Sequence, residues 1–346
     1  AWGIYDDTPD LHRAIAWCDA YYGDGSSVIE LFKVVGKPIY FQNTDFTDEN
    51  PIELLEHFRF HIKDIFEVCN ELYVVSANEY IFKLVGNSLK YESEIKIDPN
   101  IKRNRNFYTH IVVGSAVVFI PYNCDRLIVY DIKTKEYNQY PLELKEKFLA
   151  SIDGQNRNFY DGILYKNKIF LVPCGYRNIV AFNLDTKETE HCLDLLRLFP
   201  KGKISSLYYG WTWLNENTIL LASSYTNEVL EFNLDTYKYK VHKLGLENQS
   251  FDGIFKYGGS FFIIGRQGFM VKWNYETGEV ITYDEVPKDF KVLKEQDWVF
   301  FANNIKPYNN KLILLGSFTN MVLEFNFDTC EFRKLDEFDA ILSRKP

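Results

Sequence analysis

The sequence lacks a long apolar run, a C-x-x-C pair and an excess of positive charge. Its longest apolar stretches, such as AVVFI and FFII, are as long as one strand and far shorter than the roughly 18 residues of a membrane span. The opening residues AWGIYDDTPD have neither the basic end nor the apolar stretch of a signal peptide. We therefore predict no membrane span. The initial Ala, in place of Met, fits an excised domain or a processed chain.

Charge and cysteine content narrow the expected partners and compartment. The net charge of -9 disfavours binding to phosphate backbones or anionic lipid, so nucleic acid is not an expected partner. The six cysteines are scattered along the chain, which is typical of reduced thiols in a cytosolic protein rather than of disulfides or zinc ligands. We predict a cytoplasmic protein without a metal or a cofactor.

The chain is rich in aromatic residues, with 28 Phe and 24 Tyr against 2 Met. Aromatic side chains favour strands, because they pack well on a pleated surface. One aromatic pentapeptide, NRNFY, occurs at residues 104–108 and again at residues 156–160. An identical stretch of this kind at two places indicates an internal repeat.

Six segments of the chain share one pattern. Each predicts a short strand, a polar turn, an apolar strand, a polar loop, a third strand, and a D-T or E-T corner before a fourth strand. Their anchor residues lie 41 to 52 positions apart and are Ile65, Ile111, Ile163, Trp213, Ile254 and Ile305. Repeats of roughly 40 to 50 residues with four strands each are typical of propeller blades. At the corners, the Asp of D-T is predicted to bond back to its own backbone.

The repeat predicts an all-β fold, a six-bladed β-propeller, with seven blades as the alternative. The propeller is assigned to residues 55–346, and a small α/β segment is assigned to residues 1–50. No G-H…W-D pair and no Kelch double glycine recurs, so the type of propeller is unassigned.

The NRNFY stretches lie just before the predicted innermost strands of two blades. In propellers these connections and the loops between second and third strands lie on one face, around the central channel. We call it the mouth face. Aromatic rings stack on sugars, Asn and Asp bind hydroxyl groups, and Arg binds phosphate or carboxylate. The predicted ligand residues are Arg105, Tyr108, Arg157, Tyr160, Asp161, Arg177, Asp252 and Arg266.

A structural role competes with this interpretation. Asn and Asp before a strand often cap turns, and Phe107 and Phe159 are expected to be core residues. The equivalent positions in three other blades are predicted to hold Ser250-Phe251-Asp252, Gly210-Trp211-Thr212 and Ala302-Asn303-Asn304.

The first 50 residues follow a different pattern. Thr8 followed by Pro9 predicts a helix start. A short strand at AYY, the loop GDGSS, a second helix from Ser26 to Gly36 and the strand PIYF follow. This order is that of half a doubly wound nucleotide-binding domain. A hairpin of VIELFKV and PIYFQ stays open as an alternative, because short apolar runs do not define the element type.

The stretch DAYYGDGSS followed by KPIYF resembles the block near the end of CDP-glycerol glycerophosphotransferases, GT-B transferases of teichoic-acid and capsule assembly. The resemblance covers about 40 residues. It implies that Ser26 and Ser27 contact the phosphates of a nucleotide-linked donor and that Asp24 shapes the turn. Gly25 stands where the family usually has Tyr. The family's acceptor-binding half and catalytic histidines have no counterpart here, so the chain alone is not predicted to be a complete transferase.

Two other pairs of polar residues are candidates, one for a metal site and one for acid–base catalysis. His57 and His61 have the spacing of metal ligands on one helical turn, but the alternation of EHFRFH favours a strand with one polar face. Asp161 and Asp252 are aligned in two blades and form a candidate acid–base pair for hydrolysis.

Three functions follow from these patterns. The first is a propeller module of a transferase-like bacterial protein of cell-surface polymer synthesis, which binds a saccharide, a nucleotide-linked sugar or glycerol donor, or a protein partner. The second is a propeller hydrolase or lyase that acts on a carbohydrate. The third is a protein-interaction scaffold.

Overall fold

The computed structural model describes a chain made almost entirely of antiparallel strands. The described residues are 21–23, 39–41, 62–76, 79–86, 88–97, 106–144, 157–195, 198, 207–247, 249–266, 268–291, 307–314 and 319–336. No α-helix occurs among them. The chain divides into two compact units, Ala1–Ile95 and Lys96–Pro346.

The first unit contains a small parallel sheet and one blade. The parallel sheet pairs β1 (Tyr21–Gly23) with β2 (Ile39–Phe41), at the two places where the sequence predicts strands. Blade 1 is a four-stranded antiparallel sheet. Its strands are β3 (Ile62–Val68), β4 (Glu71–Ser76), β5 (Tyr80–Val85) and β6 (Ser88–Glu94). The predicted helices, the loop with Asp24, Ser26 and Ser27, and the predicted domain boundary lie outside the described residues.

The second unit contains five further blades, of which the first four are complete four-stranded sheets. Blade 2 consists of β7 (Phe107–Val113), β8 (Ala116–Pro121), β9 (Arg126–Asp131) and β10 (Tyr137–Pro141). Blade 3 consists of β11 (Phe159–Tyr165), β12 (Lys168–Pro173), β13 (Asn178–Asn183) and β14 (Thr189–Asp194). Each blade is a meander, in which every strand pairs with the next one in the chain.

The last three blades continue the same order. Blade 4 consists of β15 (Tyr208–Trp213), β16 (Thr218–Ser223), β17 (Glu228–Asn233) and β18 (Tyr239–Lys243). Blade 5 consists of β19 (Phe251–Tyr257), β20 (Ser260–Gly265), β21 (Met270–Trp273) and β22 (Val280–Tyr283). Blade 6 shows three strands, β23 (Lys311–Leu314), β24 (Leu323–Asn326) and β25 (Glu331–Lys334). Residues 292–306, which precede β23, are not described.

These sheets make the fold an all-β propeller, as the repeat predicts. The first strands of blades 2 to 5 contact one another, which identifies them as the innermost strands. An apolar cluster fills each interface between neighbouring blades from 2 to 6. At the interface of blades 3 and 4, for example, Phe170 packs with Leu221 and Phe232, all of them buried. Propeller blades gain their stability from such stacking, because a single four-stranded sheet cannot bury both of its faces.

The D-T corners are tight turns, but the side chain that accepts the turn's N–H groups is not the predicted Asp. The side chain two residues before the Asp accepts the turn's N–H groups; Asn183 Oδ1, for instance, takes bonds from Asp185 N (2.8 Å) and Thr186 N (3.1 Å). The Asp itself accepts from an Asn in the first turn of its blade, as Asp185 does from Asn167 (2.7 Å). The corner therefore joins two turns of one blade instead of closing on itself.

Replacing Asn233 by Ala should lower the free energy of unfolding by about 1 to 2 kcal/mol. Its Oδ1 accepts from Asp235 N (3.1 Å), Thr236 N (2.9 Å) and the Thr236 hydroxyl (3.0 Å), and a lost turn or cap acceptor costs this much. Urea denaturation measures the change. Lys240→Ala, on an exposed position of β18, is the matched control and should stay within about 0.5 kcal/mol of wild type. Equal stability of Asn233→Ala and wild type would contradict this role.

Candidate functional site

The innermost strands of blades 2 to 5 share one irregularity near their first residue. The pairing register with the second strand shifts directly after Phe107, Phe159, Tyr208 and Phe251. Such a bulge turns the next side chain away from the regular alternation of the strand. The residues placed there are Tyr108, Tyr160, Tyr209 and Asp252. The fold therefore gathers one polar or aromatic side chain from each of four blades at the same level.

Four tyrosines form a continuous row across three blades. The ring of Tyr108 lies 5.3 Å from that of Tyr122 and 4.3 Å from that of Tyr160, measured between centroids. Tyr160 in turn meets Tyr209 edge-on at 4.8 Å. Tyr122, Tyr160 and Tyr209 are buried and pack with Cys174 in one cluster. Aromatic pairs at these distances add favourable quadrupole interactions to the burial of their surface.

An ion pair continues the row into blade 5. The guanidinium of Arg266 lies 5.6 Å from the ring centroid of Tyr209 and donates from Nε to Asp252 Oδ1 at 3.2 Å. Asp252 is 4% exposed. Burial raises the pKa of Asp252 to about 7, although Arg266 acts in the opposite direction. We call the six residues of this row the mouth cluster; they are Tyr108, Tyr122, Tyr160, Tyr209, Asp252 and Arg266.

Two polar atoms of the mouth cluster are buried without a hydrogen-bond partner among the described residues. They are the second carboxyl oxygen of Asp252, Oδ2, and the hydroxyl oxygen of Tyr160. Burial, followed by the nearby Tyr108 phenol, also raises the pKa of Tyr160 well above its ordinary value, so its hydroxyl keeps its proton. A buried polar group without a partner costs about 1 to 3 kcal/mol. Two such groups in one cluster mark a place where a further donor and acceptor would be favourable.

Some residues of the repeated pentapeptide have a structural role, and others belong to the mouth cluster. Asn106 and Asn158 are buried, and the carbonyl of each accepts from the backbone at the end of the second strand, as from Tyr122 N (2.7 Å) and Cys174 N (2.9 Å). The Asn158 side chain also donates to Cys124 O of the preceding blade at 2.6 Å. The Phe of each pentapeptide is core, as predicted, with Phe107 and Phe159 at 2% and 0% exposure. The final Tyr of each belongs to the mouth cluster.

The remaining predicted ligand residues are placed around this cluster. The carbonyl oxygen of Arg157 accepts from Gly175 N at 2.8 Å. Arg177 donates to Asp194 at 2.6 Å within blade 3. Asp161 Oδ2 accepts from the Trp211 indole at 2.9 Å, so its carboxylate joins blade 3 to blade 4. Arg105 lies outside the described residues.

The proposed alignment of Asp161 with Asp252 is wrong. Asp252 is the residue at the bulge, while Asp161 is the next paired residue, opposite Val172. The register gives Tyr160 as the counterpart of Asp252 and gives Gly253, opposite Ile264, as the counterpart of Asp161. Since Asp161 is bonded to Trp211, the two carboxylates are not an equivalent acid–base pair.

Sequence reasoning missed Tyr209 and Tyr122. The anchor Trp213 in blade 4 lies two residues too far along its strand, because Gly210 and Gly253 are the paired residues after the bulge in blades 4 and 5. Tyr208-Tyr209, rather than Gly210-Trp211, is thus the counterpart of Phe251-Asp252. The signal that finds it is an aromatic residue followed by a second large or polar residue at the start of each innermost strand of blades 2 to 5, as in FY, FY, YY and FD.

A concavity lies at the outer strands of blades 2 and 3. It has a volume of about 590 Å³ and includes Glu143, Lys168 and Glu190 in its lining. Lys168 donates to Glu190 (2.8 Å) and Tyr237 (2.9 Å), and Tyr237 also donates to Glu190 (2.8 Å). These groups satisfy one another and hold blade 3 to blade 4, so this groove offers less chemistry than the mouth cluster.

The described residues include no candidate metal site and no membrane-spanning helix. No group of three or more His, Cys, Asp or Glu side chains in it could hold a metal ion. His57 and His61 are not among the described residues. No helix in that part has the length and apolarity needed to cross a membrane.

Comparison with known proteins gives the fold. No protein-family model and no curated protein sequence matches the chain. Among solved structures, the extracellular domain of a one-component system of B. thetaiotaomicron is 12% identical, with a TM-score of 0.54, over 80% of this chain and 33% of that one. This chain thus spans about a third of that domain's length.

Two further solved structures match over most of both chains. Virginiamycin B lyase from Staphylococcus aureus is 10% identical, with a TM-score of 0.55, over 80% of this chain and 83% of that one. YCF48 bound to D1 peptide is 11% identical, with a TM-score of 0.53, over 83% of each chain. Identities this low show the fold alone. Together with the blade sheets, they show that the chain has a β-propeller fold.

Proposed function

We propose that this propeller is a carbohydrate-binding module and that its ligand site is the mouth cluster. The observation that carries the proposal is the pair of buried atoms without partners, Asp252 Oδ2 and the Tyr160 hydroxyl, beside a row of aromatic rings. A saccharide offers what these groups lack, since each hydroxyl both donates and accepts and the C–H face of the ring stacks on aromatic side chains.

The loop after β16 adds an exposed aromatic ring on the same face. Tyr225 is 48% exposed and follows the second strand of blade 4 directly after Ser224. The Ser223 hydroxyl accepts from Tyr225 N (3.2 Å) and Thr226 N (3.0 Å), which fixes the loop that carries the ring. Exposed aromatic side chains beside a polar site are typical of saccharide binding, because stacking is available without closure of the site.

Binding is favoured over hydrolysis or elimination by the placement of the carboxylates. The two carboxylates of the predicted acid–base pair hold different positions in their strands, and Asp161 accepts from Trp211 and from its neighbour Gly162 N at 2.8 Å. The lyase among the similar structures supports a propeller of comparable size, but its substrate is not carried over to this chain.

The transferase context stays a prediction. The parallel pairing of β1 and β2 is the arrangement that a doubly wound sheet would have, but no protein-family model and no curated protein supports a transferase. Donor binding by Asp24, Ser26 and Ser27 and cytoplasmic localisation stay predictions as well. The peptide complex among the similar structures keeps a protein partner as the alternative occupant of the mouth face.

Replacing Tyr160 by Phe should weaken saccharide binding about 5- to 10-fold, because one ligand hydrogen bond of about 1 kcal/mol is lost. The melting temperature should not fall, since the hydroxyl has no partner among the described residues. Titration calorimetry with the tightest ligand from a glycan array measures the affinity. Tyr165→Phe is the control: this tyrosine donates to Asp235 (2.9 Å), at the corner that ends the third strand of blade 4, and ligand affinity should not change.

Two outcomes would count against the proposal. If no glycan on the array binds, or if Tyr160→Phe and Tyr165→Phe change the affinity equally, the mouth cluster is not a saccharide site. Binding of a peptide at the mouth face, lost in Tyr160→Phe, would replace the saccharide by the protein partner.

A further inference from the structure

Three arginines of the mouth face lie beside aspartates. Arg266 lies 3.2 Å from Asp252, Arg177 lies 2.6 Å from Asp194, and Arg126 lies 3.5 Å from its neighbour Asp125. An arginine that grips phosphate or carboxylate bidentately needs its guanidinium edge for the ligand. At these three arginines an anionic ligand would compete with a neighbouring carboxylate. At these positions the geometry favours an uncharged ligand over the acidic or nucleotide-linked ligand that the sequence suggests.

One carboxyl oxygen of Asp252 accepts a hydrogen bond, and the other has no partner among the described residues. Oδ1 accepts from Arg266, while Oδ2 is buried without a partner among the described residues. A carboxylate oxygen is an acceptor only, so the group that completes it must be a donor. A sugar hydroxyl is a donor without charge, whereas a carboxylate or phosphate at this place would repel Asp252.

On the basis of the proposed saccharide site, we infer that Asp252 selects an uncharged saccharide by accepting a hydrogen bond from one of its hydroxyl groups as a carboxylate. Arg266 holds the carboxylate in place from the side of Oδ1, and Tyr209 supports the guanidinium with its ring face. Asp252 is therefore the residue that sets the ligand class, and it must be ionised in the complex.

Ionisation of Asp252 links binding to pH. Burial raises the pKa of this carboxyl to about 7, so below neutral pH the free protein holds a proton that must leave before the ligand hydroxyl donates. Among the described residues, Arg266 on the blade 5 loop contacts Asp252, Tyr209 on β15 contacts Arg266, and Tyr160 on β11 is next along the row. The Tyr160 phenol stays neutral over this range, because burial raises its pKa well above the ordinary value of tyrosine. Affinity for an uncharged saccharide should rise with pH and level off above about 7.

The test is titration calorimetry at pH 5.0, 6.5 and 8.0 with neutral trisaccharides (maltotriose, cellotriose and mannotriose) and with the acidic trigalacturonate. We expect a neutral trisaccharide to bind at least 10-fold more tightly at pH 8.0 than at pH 5.0, and trigalacturonate to bind at least 10-fold more weakly than the neutral ligand at pH 8.0. Asp252→Asn should abolish the pH dependence. Asp185→Asn, at an exposed corner of blade 3, is the control and should preserve it.

The outcomes separate this inference from the proposed function. Tight binding of a neutral trisaccharide that is independent of pH and of Asp252→Asn would overturn the inference and leave the saccharide site standing. Preference for trigalacturonate would also overturn it, in favour of arginine-mediated binding. Absence of binding by all four ligands and by the glycan array would overturn the proposed function and the inference with it. The pH series is also measured with Tyr160→Phe, a variant that keeps Asp252.

Discussion

Replacing Gly210 by Ala is expected to lower the free energy of unfolding by about 3 kcal/mol. A Cβ at this position would lie 2.5 Å from the Cα of Gly253 and 3.1 Å from Ile254 N, both of them backbone atoms of the neighbouring innermost strand. Backbone cannot rotate away as a side chain can, so β15 and β19 would have to separate. Overpacking of a well-filled interior typically costs about 1 to 3 kcal/mol, and a backbone clash belongs at the upper end.

Gly253, on the other side of this contact, provides the control. A Cβ at Gly253 would meet only side-chain atoms, at 3.3 Å from the Phe255 ring and 3.5 Å from Ile264, which can shift by a few tenths of an ångström. Gly253→Ala should therefore cost about 1 kcal/mol or less. Urea denaturation of both variants, followed by near-ultraviolet circular dichroism, measures the difference. Equal costs at the two positions would show that the strands are not held at this distance.

The two glycines also explain why the blades are not identical. In blade 3 the corresponding residue is Asp161, whose side chain reaches Trp211 across the interface. In blades 4 and 5 both positions are glycine, and the backbones of the innermost strands approach directly. The sequence repeat shows that such a position exists in each blade. Which residue fills it depends on the neighbour, and one blade read alone does not contain that information.

The blade pattern was predictable because its signals are local. Alternating apolar residues, polar turns and D-T corners recur with a regular period, and the strands of blades 1 to 5 lie where that pattern places them. The repeated NRNFY marks the starts of two innermost strands. Its Phe and Tyr residues occupy the core and the mouth cluster, and its second Asn joins neighbouring segments of backbone.

Register within the innermost strands was not predictable in the same way. Side chains alternate with a period of two, so an error of two residues leaves the pattern of a strand intact, as it did at Trp213. An error of one residue moves a side chain to the other face. Ile163 packs toward blade 4, whereas Ile254 packs back toward the same blade from blade 5. Taking both as anchors produced the false pairing of Asp161 with Asp252.

The bulge is the feature that sequence patterns conceal. It adds one residue to the innermost strand, and four of the six residues of the mouth cluster lie at such a bulge. Buried polar groups are equally hard to foresee, because the partner of Asp252 lies 14 residues away, beyond a hairpin. A sequence pattern can place Asp252 and Arg266 on one face, but their contact depends on the three-dimensional path of both loops.

Stability should depend on pH through Asp252, and the expected change is on the order of 4 kcal/mol. The pKa of this carboxyl is about 7 in the folded protein against an ordinary value of 3.8, so between these values the folded state holds a proton that the unfolded state has lost. Its contribution to stability is complete below about pH 4 and is lost as the pH rises toward 7. One pKa unit corresponds to about 1.4 kcal/mol, which gives the estimate above.

Asp252→Asn isolates this contribution, because Asn has nearly the shape of the protonated acid and does not titrate. Wild type and variant should be equally stable near pH 4, and the variant should become more stable by up to about 4 kcal/mol at pH 7.5. Guanidinium chloride denaturation at half-unit intervals of pH measures both curves, and their difference cancels all other titrating groups. Arg266→Ala should move the wild-type decline to higher pH, since the cation that favours the carboxylate is gone. A difference curve that stays flat from pH 4 to 7.5, or that slopes toward greater wild-type stability, would show that Asp252 is ionised in the fold and paired at no cost.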